Sequence, residues 1–485
     1  MPDPRWALLT QDQAAVGQRV AAHDYDQVMG TGWGKMDDFL VLMEELGILQ
    51  RFQTMGKGYQ RRLIPVALLL TTYSVKTLAG LSSMNQVPPD RSGFRDVGLL
   101  QRIGFTLQEI QQGFSRRGQG KMRPVHKNTI ADALDRLTAE EVAEIFNGSV
   151  QDLSRAGHFA DTVFALDGCE LHTTERYPGA GSVTMKVTKQ SKTGAHTSTV
   201  TRHGYLLCSL WATGARRVAA AKLKPIGSGE VMELLPLVRQ AQANLVHKKS
   251  RIEVVLVDGA YCSGEDLWQL KHDLNVDFVV RATTTMNVCA DARGLMHLND
   301  SLVSRAERDD VVAVGVARLS SYTQYGPPKG QKRRGPRATI NAVVITKWAG
   351  KPVPPGEEVI LLTSLPVSDP LAIVDLYHRR SWIENELHRE FKQGFHMVRF
   401  PKKTDHACRA HVFLTLLLYN LVYALRSPRG QSVALRGIRR LRAESLRTIH
   451  TLIVIAAPHF ALFDVEEFQV LSGNPPKHFL RFHPT

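Results

Sequence analysis

Three acidic residues stand at places where a folded chain could bring them together. Asp167 follows the apolar run 164–166, and Asp258 follows the largely β-branched run 252–257. Each run predicts a buried strand that ends near its aspartate, and the carboxyl edge of an open sheet is where sites form. The third acid, Glu384, lies in a sequence typical of a helix. Converging carboxylates can hold Mg²⁺, and two such ions can stabilise both the attacking and the leaving oxygen of a phosphoryl displacement.

Groups that bind phosphate surround the third acid. If one α-helix carries this stretch, the rotation of about 100° per residue puts Tyr377 about 20° from Glu384, Arg380 about 40° to one side and Lys392 about 80° to the other. The helix is expected to begin at Asp369-Pro370, where a capping side chain precedes a proline. The sequence therefore predicts one helical face with a carboxylate and three phosphate-binding groups.

Simpler interpretations exist for each of these residues. The helix face can be a solvated surface with i,i+4 ion pairs, and Asp-Gly is a common turn dipeptide. His172, five residues after Asp167, can be a metal ligand or an ordinary hydrogen-bonded histidine. His388 lies on the Glu384 face and can contact the substrate or the edge of a metal site.

In the order and surroundings of its acids, the chain resembles the DDE transposases of bacterial insertion sequences. The resemblance covers roughly residues 160 to 425 and is carried by Leu-Asp-Gly at Asp167, Val-Asp-Gly-Ala-Tyr at Asp258, and Tyr377-x2-Arg380-x3-Glu384. The last motif is similar to the group with a Tyr-Arg-Glu-Lys signature. Lys392 is its lysine, although seven residues separate it from Glu384 where the signature has six, and Phe391 takes the expected place.

The resemblance implies both a fold and an activity. The expected fold is mixed α+β, with an RNase H-like core, a β-rich insertion before the helix that carries the third acid, and helical terminal regions. The expected activity is metal-dependent cleavage of DNA at transposon ends, followed by strand transfer into target DNA. Asp167, Asp258 and Glu384 would hold two Mg²⁺ ions, for which Mn²⁺ can substitute. Tyr377, Arg380 and Lys392 would contact phosphates, and a homodimer would hold two double-stranded DNA ends, the terminal inverted repeats.

The patterning along the chain predicts five regions. A helical DNA-binding region, 1–155, contains amphipathic stretches at 36–46 and 128–146. The first part of the catalytic core, 156–282, has strands at 162–171, 204–213, 216–224 and 277–281 and helices at 229–246 and 264–274. The β-rich insertion, 283–367, has strands at 311–319, 338–348 and 359–365. The helix with the third acid, 368–400, and a basic helical region, 401–485, follow.

The charge of the chain favours a polyanionic partner. It has 61 Lys and Arg against 46 Asp and Glu, a formal net charge of +15, which suits nucleic acid. Residues 401–450 hold much of the excess. A second cluster, with Arg333 and Arg334, lies in a Gly/Pro-rich loop and is a candidate DNA contact. Either cluster can also be a solvated basic surface.

An aromatic side chain in the insertion is a further candidate DNA contact. In transposases of the resembled kind, the insertion helps to hold the transposon end and can stack an aromatic ring on a displaced base. Trp348, at the end of a predicted strand, is the candidate here. The alternative is a tryptophan that packs against the sheet.

Cysteine usage and hydropathy favour a cytoplasmic protein. The five cysteines form no CxxC pair, so neither a disulfide framework nor a zinc site is expected. The N-terminus has no signal-peptide pattern, and the longest apolar run, 412–425, is too short to span a bilayer of about 30 Å. We therefore expect no membrane partner and a location at the bacterial nucleoid.

Two other functions fit part of the sequence. A non-catalytic DNA-binding protein descended from a transposase would have the same charge and fold, but the complete set of acids argues against it. A tyrosine recombinase would use His406 and Arg409 with Tyr419 or Tyr423 as nucleophile. Those tyrosines lie inside an apolar helix, close to the Arg-His pair.

Overall fold

The structure, a computed structural model, divides the chain into two compact units. The central unit is Val150–Arg389, and the terminal unit combines Met1–Ser149 with Glu390–Thr485. The structure describes residues 10–31, 34–56, 64–87, 100, 103–114, 125–191, 194–298, 301–319, 338–425, 438 and 451–473.

The N-terminal part of the terminal unit is mostly helical. Its elements are β1 (Thr10–Gln11), α1 (Gln13–Ala21), β2 (Gln27–Thr31), α2 (Gly34–Glu45), α3 (Ile48–Thr54), α4 (Val66–Leu78), α5 (Leu107–Gln112), α6 (Lys127–Asp135) and α7 (Ala139–Arg155), the last of which continues into the central unit. The helix α2 confirms the prediction for 36–46.

The prediction of one helix over 128–146 was wrong, because α6 and α7 are separate. Thr138 starts the second helix with a capping box: its hydroxyl accepts from the Glu141 N–H at 3.1 Å, and the Glu141 carboxylate accepts from the Thr138 N–H at 3.0 Å. These reciprocal bonds satisfy N–H groups that a helix start leaves without partners, so the chain begins a new helix here.

The central unit alternates strands and helices around one large sheet. Its elements are β3 (Val163–Thr173), β4 (Gly181–Ser191), β5 (Gly194–Ala212), β6 (Arg217–Pro225), α8 (Leu234–Asn244), β7 (Val254–Val257), α9 (Gly264–His272), β8 (Asp277–Arg281), α10 (Asn287–Leu295), β9 (Val303–Arg308), β10 (Val311–Leu319), β11 (Ile340–Trp348), β12 (Lys351–Pro352), β13 (Val359–Thr363) and α11 (Pro370–His378). A further helical segment follows α11, the π-helix π1 (Ile383–His388).

Five strands of this sheet form the expected mixed core. The order is β6-β5-β3-β7-β8, with β5 antiparallel to both β3 and β6, and with β3, β7 and β8 parallel to one another. All four residues of β7 are buried, as the apolar run predicted. This strand order is that of an RNase H-like core, and it places the strand that bears Asp167 beside the strand that ends before Asp258. The mixed α+β prediction is confirmed.

The strands of the predicted β-rich insertion continue the same sheet. β13 pairs antiparallel with β8, and β11, β10 and β9 follow in turn, so the sheet has 11 strands within the described residues. Residues 342–344 of β11 are fully buried. The strands at 311–319, 338–348 and 359–365 were therefore predicted to within a few residues.

A long two-stranded ribbon extends the core beyond the predicted strands. β4 pairs with the first half of β5, from the pair Gly181 and Gly204 to the pair Ser191 and Gly194. The second half of β5 pairs with β3, beginning with His203 opposite Thr173. The sequence analysis began this strand only at residue 204. Polar residues fill the preceding stretch, so the usual alternation of apolar and polar residues is absent there.

The C-terminal part of the terminal unit adds a small sheet that was not predicted. Its elements are the π-helix π2 (Glu390–Gly394), α12 (Asp405–Ala424), β14 (Thr451–Ala456), β15 (His459–Asp464) and α13 (Val465–Ser472). The strand order is β1-β15-β14-β2, so that the sheet joins both ends of the chain. Short strands with partners more than 400 positions away leave little trace in a local pattern.

The helix α12 lies in the core of its unit. By length and composition alone it is apolar enough to cross a membrane, but 89% of its most apolar window is buried within the protein. It packs against α6 and α4. His411 on α12 lies 2.5 Å from the Tyr73 hydroxyl through Nδ1 and 2.8 Å from the Met397 carbonyl oxygen through Nε2.

Candidate functional site

Two of the three predicted acids are positioned by neighbouring parallel strands. The β3–β7 pairing ends at Ala165–Leu256, two residues before each aspartate, so Asp167 and Asp258 lie side by side where β7 ends. The prediction that the first strand ends near Asp167 was wrong, because β3 remains paired with β5 as far as Thr173. Asp167 is only 8% exposed. Asp258 begins the short 3₁₀-helix Gly259–Tyr261, and its carboxylate accepts from the Gly259 N–H at 2.6 Å. The sheet geometry thus brings two distant carboxylates together.

A single arginine nitrogen connects all three acids. The Arg380 Nη2 atom lies 3.5 Å from Asp167 Oδ1, 3.5 Å from Asp258 Oδ2 and 2.9 Å from Glu384 Oε1. The Arg380 and Asp167 side chains are 14% and 11% exposed, so their contact is largely shielded from water. We name Asp167, Asp258, Glu384 and Arg380 the carboxylate cluster. The predicted convergence of the acids is present.

The helix that bears Glu384 differs from the predicted α-helix. Its start was predicted correctly, since the Asp369 carboxylate accepts from the Ala372 N–H at 3.2 Å and Pro370 is the first helical residue. However, α11 ends at His378, a turn follows, and Glu384 lies in π1. A continuous α-helical face through Tyr377, Arg380 and Glu384 is therefore wrong, because the i→i+5 bonds of a π-helix change the rotation per residue.

The cluster places the buried Asp167 carboxylate beside two acids whose side chains are 44% (Asp258) and 53% (Glu384) exposed. Burial raises the pKa of Asp167 to about 7; the Arg380 guanidinium opposes this shift, and Glu230 and Glu384 add to it. Burial by itself lowers the pKa of Arg380, but its acidic neighbours, Asp167 first, outweigh burial and raise it. Three carboxylates share one guanidinium, so the cluster can accept additional cations.

Tyr377 and His388 lie against the same cluster. The Tyr377 hydroxyl is buried and makes no hydrogen bond within the described residues. Burial raises the Tyr377 pKa to about 12, with Arg380 opposing and Asp258 contributing. The phenol therefore stays a neutral donor. His388 is 8% exposed, and its Nδ1 atom lies 3.9 Å from Asp167 Oδ2. The sequence analysis had left the contact of His388 with this site open.

The other predicted residues are not part of this arrangement. Lys392 is an exposed residue of π2 in the terminal unit, so its role beside the acids stays a prediction. Trp348 is 45% exposed at the end of β11, with its ring 6.4 Å from that of His378. His172 lies 3.4 Å from Glu170. Arg333 and Arg334 lie outside the described residues.

Two nearby residues were missed from the sequence. Arg281 ends β8, where its backbone carbonyl oxygen lies 3.0 Å from the place that a Cβ on Gly259 would take. The strand 277–281 was predicted with the observed bounds, so the rule that sites form at carboxyl strand ends could have found Arg281. Glu230 precedes the 3₁₀-helix Val231–Glu233. Acidic residues are common at helix starts, so the position of Glu230 in the sequence did not indicate a functional role.

The cluster has the donor chemistry of a divalent-metal site but not yet its spacing. Carboxylate oxygens are the ligands that Mg²⁺ prefers, and oxygens of all three acids lie within 3.5 Å of one point. That point is a guanidinium nitrogen, and among the described residues no three His, Cys, Asp or Glu side chains stand ready to hold a metal ion. The donor types therefore suit Mg²⁺, and Arg380 occupies the point on which they converge.

The geometry gives no support to a tyrosine recombinase. A nucleophilic tyrosine must reach a DNA phosphate, whereas Tyr419 is fully buried and Tyr423 is 5% exposed. The Tyr419 ring packs edge-on against Phe391 and beside Tyr423. These tyrosines are core residues of α12.

Comparisons with known proteins identify the family. The profile of the transposase DDE domain matches residues 158–421, more than half of the chain. Among solved structures, the piggyBac transposase synaptic complex with hairpin DNA is similar with a TM-score of 0.40 and 9% sequence identity, over 94% of this chain and 86% of that chain. No curated protein matches the sequence. On the strength of the profile, the chain belongs to the transposase DDE domain family.

Proposed function

We propose that this protein cleaves DNA at the ends of a mobile element and joins the freed ends to target DNA. The observation that carries the proposal is the contact of one Arg380 nitrogen with all three acids, within 3.5 Å. Residues from a central strand, from the end of the next strand and from a helix meet at this point. The family match over 158–421 covers all of them.

Asp167, Asp258 and Glu384 would hold a pair of Mg²⁺ ions, which Mn²⁺ can replace. When bound, such a pair activates the attacking oxygen and stabilises the leaving oxygen of the phosphodiester. The raised pKa of Asp167 means that this carboxyl group keeps its proton up to about pH 7 without metal. Metal binding would displace that proton, so we expect it to strengthen as pH rises.

The remaining residues of the site would bind and orient the phosphate. Arg380 would exchange its carboxylate contacts for the anionic oxygens of the DNA, since a guanidinium binds both groups through parallel N–H donors. The buried Tyr377 hydroxyl could donate to a phosphate oxygen. Such contacts position the scissile bond, which lowers the entropy cost of reaction.

The wider DNA contacts follow from charge and exposure. We assign Arg281, at the same sheet edge as Asp258, and Lys392 to the phosphate backbone. Because of their positive charge, we also assign Arg333 and Arg334 to the phosphate backbone. The exposed Trp348 ring is available to stack on a base. The substrate would be double-stranded DNA that carries terminal inverted repeats. A homodimer would hold the two DNA ends that are joined. The protein would act in the bacterial cytoplasm, and the element would be an insertion sequence whose transposase belongs to the Tyr-Arg-Glu-Lys group.

The test is cleavage of DNA that contains the ends of the element around the gene. We expect Asp258→Asn to lower Mg²⁺-dependent cleavage by about 10³-fold, because it removes a carboxylate that would hold the metal ions, and to leave end binding in place. The exposed Asp273→Asn is the matched control. Full Mg²⁺-dependent cleavage by Asp258→Asn would refute the site. End binding without cleavage by the unaltered protein would indicate a non-catalytic descendant of a transposase.

A further inference from the structure

A fourth carboxylate lies against the strand that bears Asp167. A Cβ atom on Gly168 would lie 2.1 Å from Glu230 Oε2 and 3.3 Å from Glu230 Cδ, so a larger residue at this position would require the Glu230 carboxylate to move away. Glu230 comes from the segment between β6 and α8. The residue that follows Asp167 therefore leaves space for a second acid beside the first.

Glu230 differs from the acid three residues later. Glu233 is 4% exposed and pairs with Lys222 at 2.9 Å and Lys224 at 2.8 Å, which lowers its pKa overall although burial opposes this. Within the described residues the Glu230 carboxylate has no ion pair or hydrogen bond, whereas its backbone carbonyl oxygen accepts from the Glu233 N–H at 2.9 Å. Burial and then Asp258 raise its pKa, and Arg380 opposes them. Glu233 thus has a structural role, whereas Glu230 faces the charges of the site.

Glu230 approaches β3 just beyond the last residue pair that β3 forms with β7. Successive strand residues point to opposite faces, so Glu230 approaches β3 from the face opposite to the Asp167 side chain. The β3–β7 pairing ends at Ala165–Leu256, so no ladder with β7 separates the two faces beside Gly168.

The neighbourhood also contains a buried polar group without a partner. The Tyr261 side chain is fully buried, and its hydroxyl makes no hydrogen bond within the described residues. Burial and then the charges of Glu230, Cys208 and Asp167 raise its pKa. With Glu230, four carboxylates face one guanidinium. Buried charges of one sign are stable only when they are paired or bind metal.

On the basis of the proposed function, we propose that Glu230 is a fourth acidic residue of the metal site, which supplies a carboxylate to the divalent ions from the α8 side of β3. Gly168 then has a defined task, because it lets this carboxylate approach. With Glu230, the four carboxylates carry four negative charges, which equal the charge of two divalent cations.

The test measures Mn²⁺ binding to the full chain by the electron paramagnetic resonance signal of free Mn²⁺, so it does not depend on activity. Glu230→Gln should raise the dissociation constant by about tenfold or more. Gly168→Ala should act in the same direction, because its Cβ displaces the carboxylate without removing it. Glu253→Gln, the same change at the opposite edge of the sheet, should bind Mn²⁺ as the unaltered protein does.

A second measurement separates a metal ligand from a structural residue. In EDTA at pH 8, Glu230→Gln should melt at a higher temperature than the unaltered protein, because it removes one of several repelling charges. A lower melting temperature would overturn the inference. Mn²⁺ binding that Asp258→Asn loses and Glu230→Gln keeps would overturn it while the proposed function stands. If Asp258→Asn also bound Mn²⁺ normally, the proposed function would fail with it.

Discussion

The strand-borne and helix-borne halves of the site hold their acids in different ways. Asp167 is 8% exposed, and backbone ladders on both sides fix its strand, with Ser209 opposite it on β5. The Glu384 side chain is 53% exposed on a π-helix, where Arg380 is its ion-pair partner. One half is therefore built into the sheet, whereas the other depends on side-chain contacts that can rearrange.

The largest expected effect comes from removing the cation that joins the halves. Arg380→Ala leaves the buried Asp167 carboxylate without its partner, which should lower the free energy of unfolding in EDTA by about 3–5 kcal/mol. Arg379→Ala, at the adjacent position, is the control. Urea unfolding at pH 8 measures both. If the two variants were equally stable, the contacts of Arg380 would not stabilise the strand-borne acids against the helix that carries Glu384.

The next prediction separates the buried acid from the exposed one. The folded-state pKa of Asp167 is about 7, above its ordinary value of 3.8. The unfolded chain therefore loses this proton first, so the stability of the metal-free protein should fall as pH rises from about 4 to about 7. Asp167→Asn should remove this slope and gain about 2–4 kcal/mol above pH 7.

Glu384→Gln is the matched change in the helix-borne half. It should alter stability by less than about 1 kcal/mol, because exposed pairs contribute little. Unfolding free energies in EDTA between pH 4 and pH 8 test both variants. Equal slopes for Asp167→Asn and the unaltered protein would contradict the assigned difference in burial.

A smaller effect is expected where the π-helix is held against the core. Arg216 Nε lies 3.3 Å from Glu386 Oε2, with both side chains about one-third exposed. Arg216→Ala should cost about 0.5–1 kcal/mol and should lower cleavage a few-fold, since it loosens the segment that carries Glu384. The exposed pair Arg155–Asp152 offers a control in Arg155→Ala. Unchanged cleavage with reduced stability would show that the position of π1 does not limit the reaction.

The smallest effect concerns DNA affinity alone. Arg281→Ala should reduce the slope of log affinity against log salt by about 0.9, the value for one phosphate contact. Arg251 lies just before β7, at the end of the parallel strands opposite to Arg281, so Arg251→Ala should leave this slope unchanged. Fluorescence anisotropy at several salt concentrations measures this. Equal slopes for both variants would remove Arg281 from the DNA surface.

The sequence predicted the two halves of the site unequally well. The strands that carry or precede Asp167 and Asp258 are apolar runs buried on both faces, and such runs are visible locally; β8 and β10 even had the predicted bounds. The helix-borne half was placed correctly at its start and wrongly beyond His378. A π-helix differs from an α-helix by its hydrogen bonds and not by an evident residue pattern, so periodicity at 3.6 residues could not show it.

Contacts between residues far apart in the chain could also not be predicted from the sequence. The three-way contact of Arg380 and the approach of Glu230 to Gly168 depend on how strands, loop and helix pack, and a single sequence shows only the residue types. The same holds for the β14–β15 hairpin, which pairs with strands at the other end of the chain. Resemblance to a family supplied the three acids, but not the fourth.

A change of metal-ligand chemistry tests directly whether Asp258 binds a catalytic ion. Asp258→Cys replaces a hard oxygen ligand by sulfur, which Mg²⁺ binds poorly and Mn²⁺ tolerates better. We expect this variant to be nearly inactive in DNA cleavage with Mg²⁺ and to recover substantially with Mn²⁺, whereas Asp273→Cys behaves as the unaltered protein with both ions. Cleavage by Asp258→Cys at the unaltered rate with Mg²⁺ would contradict the account.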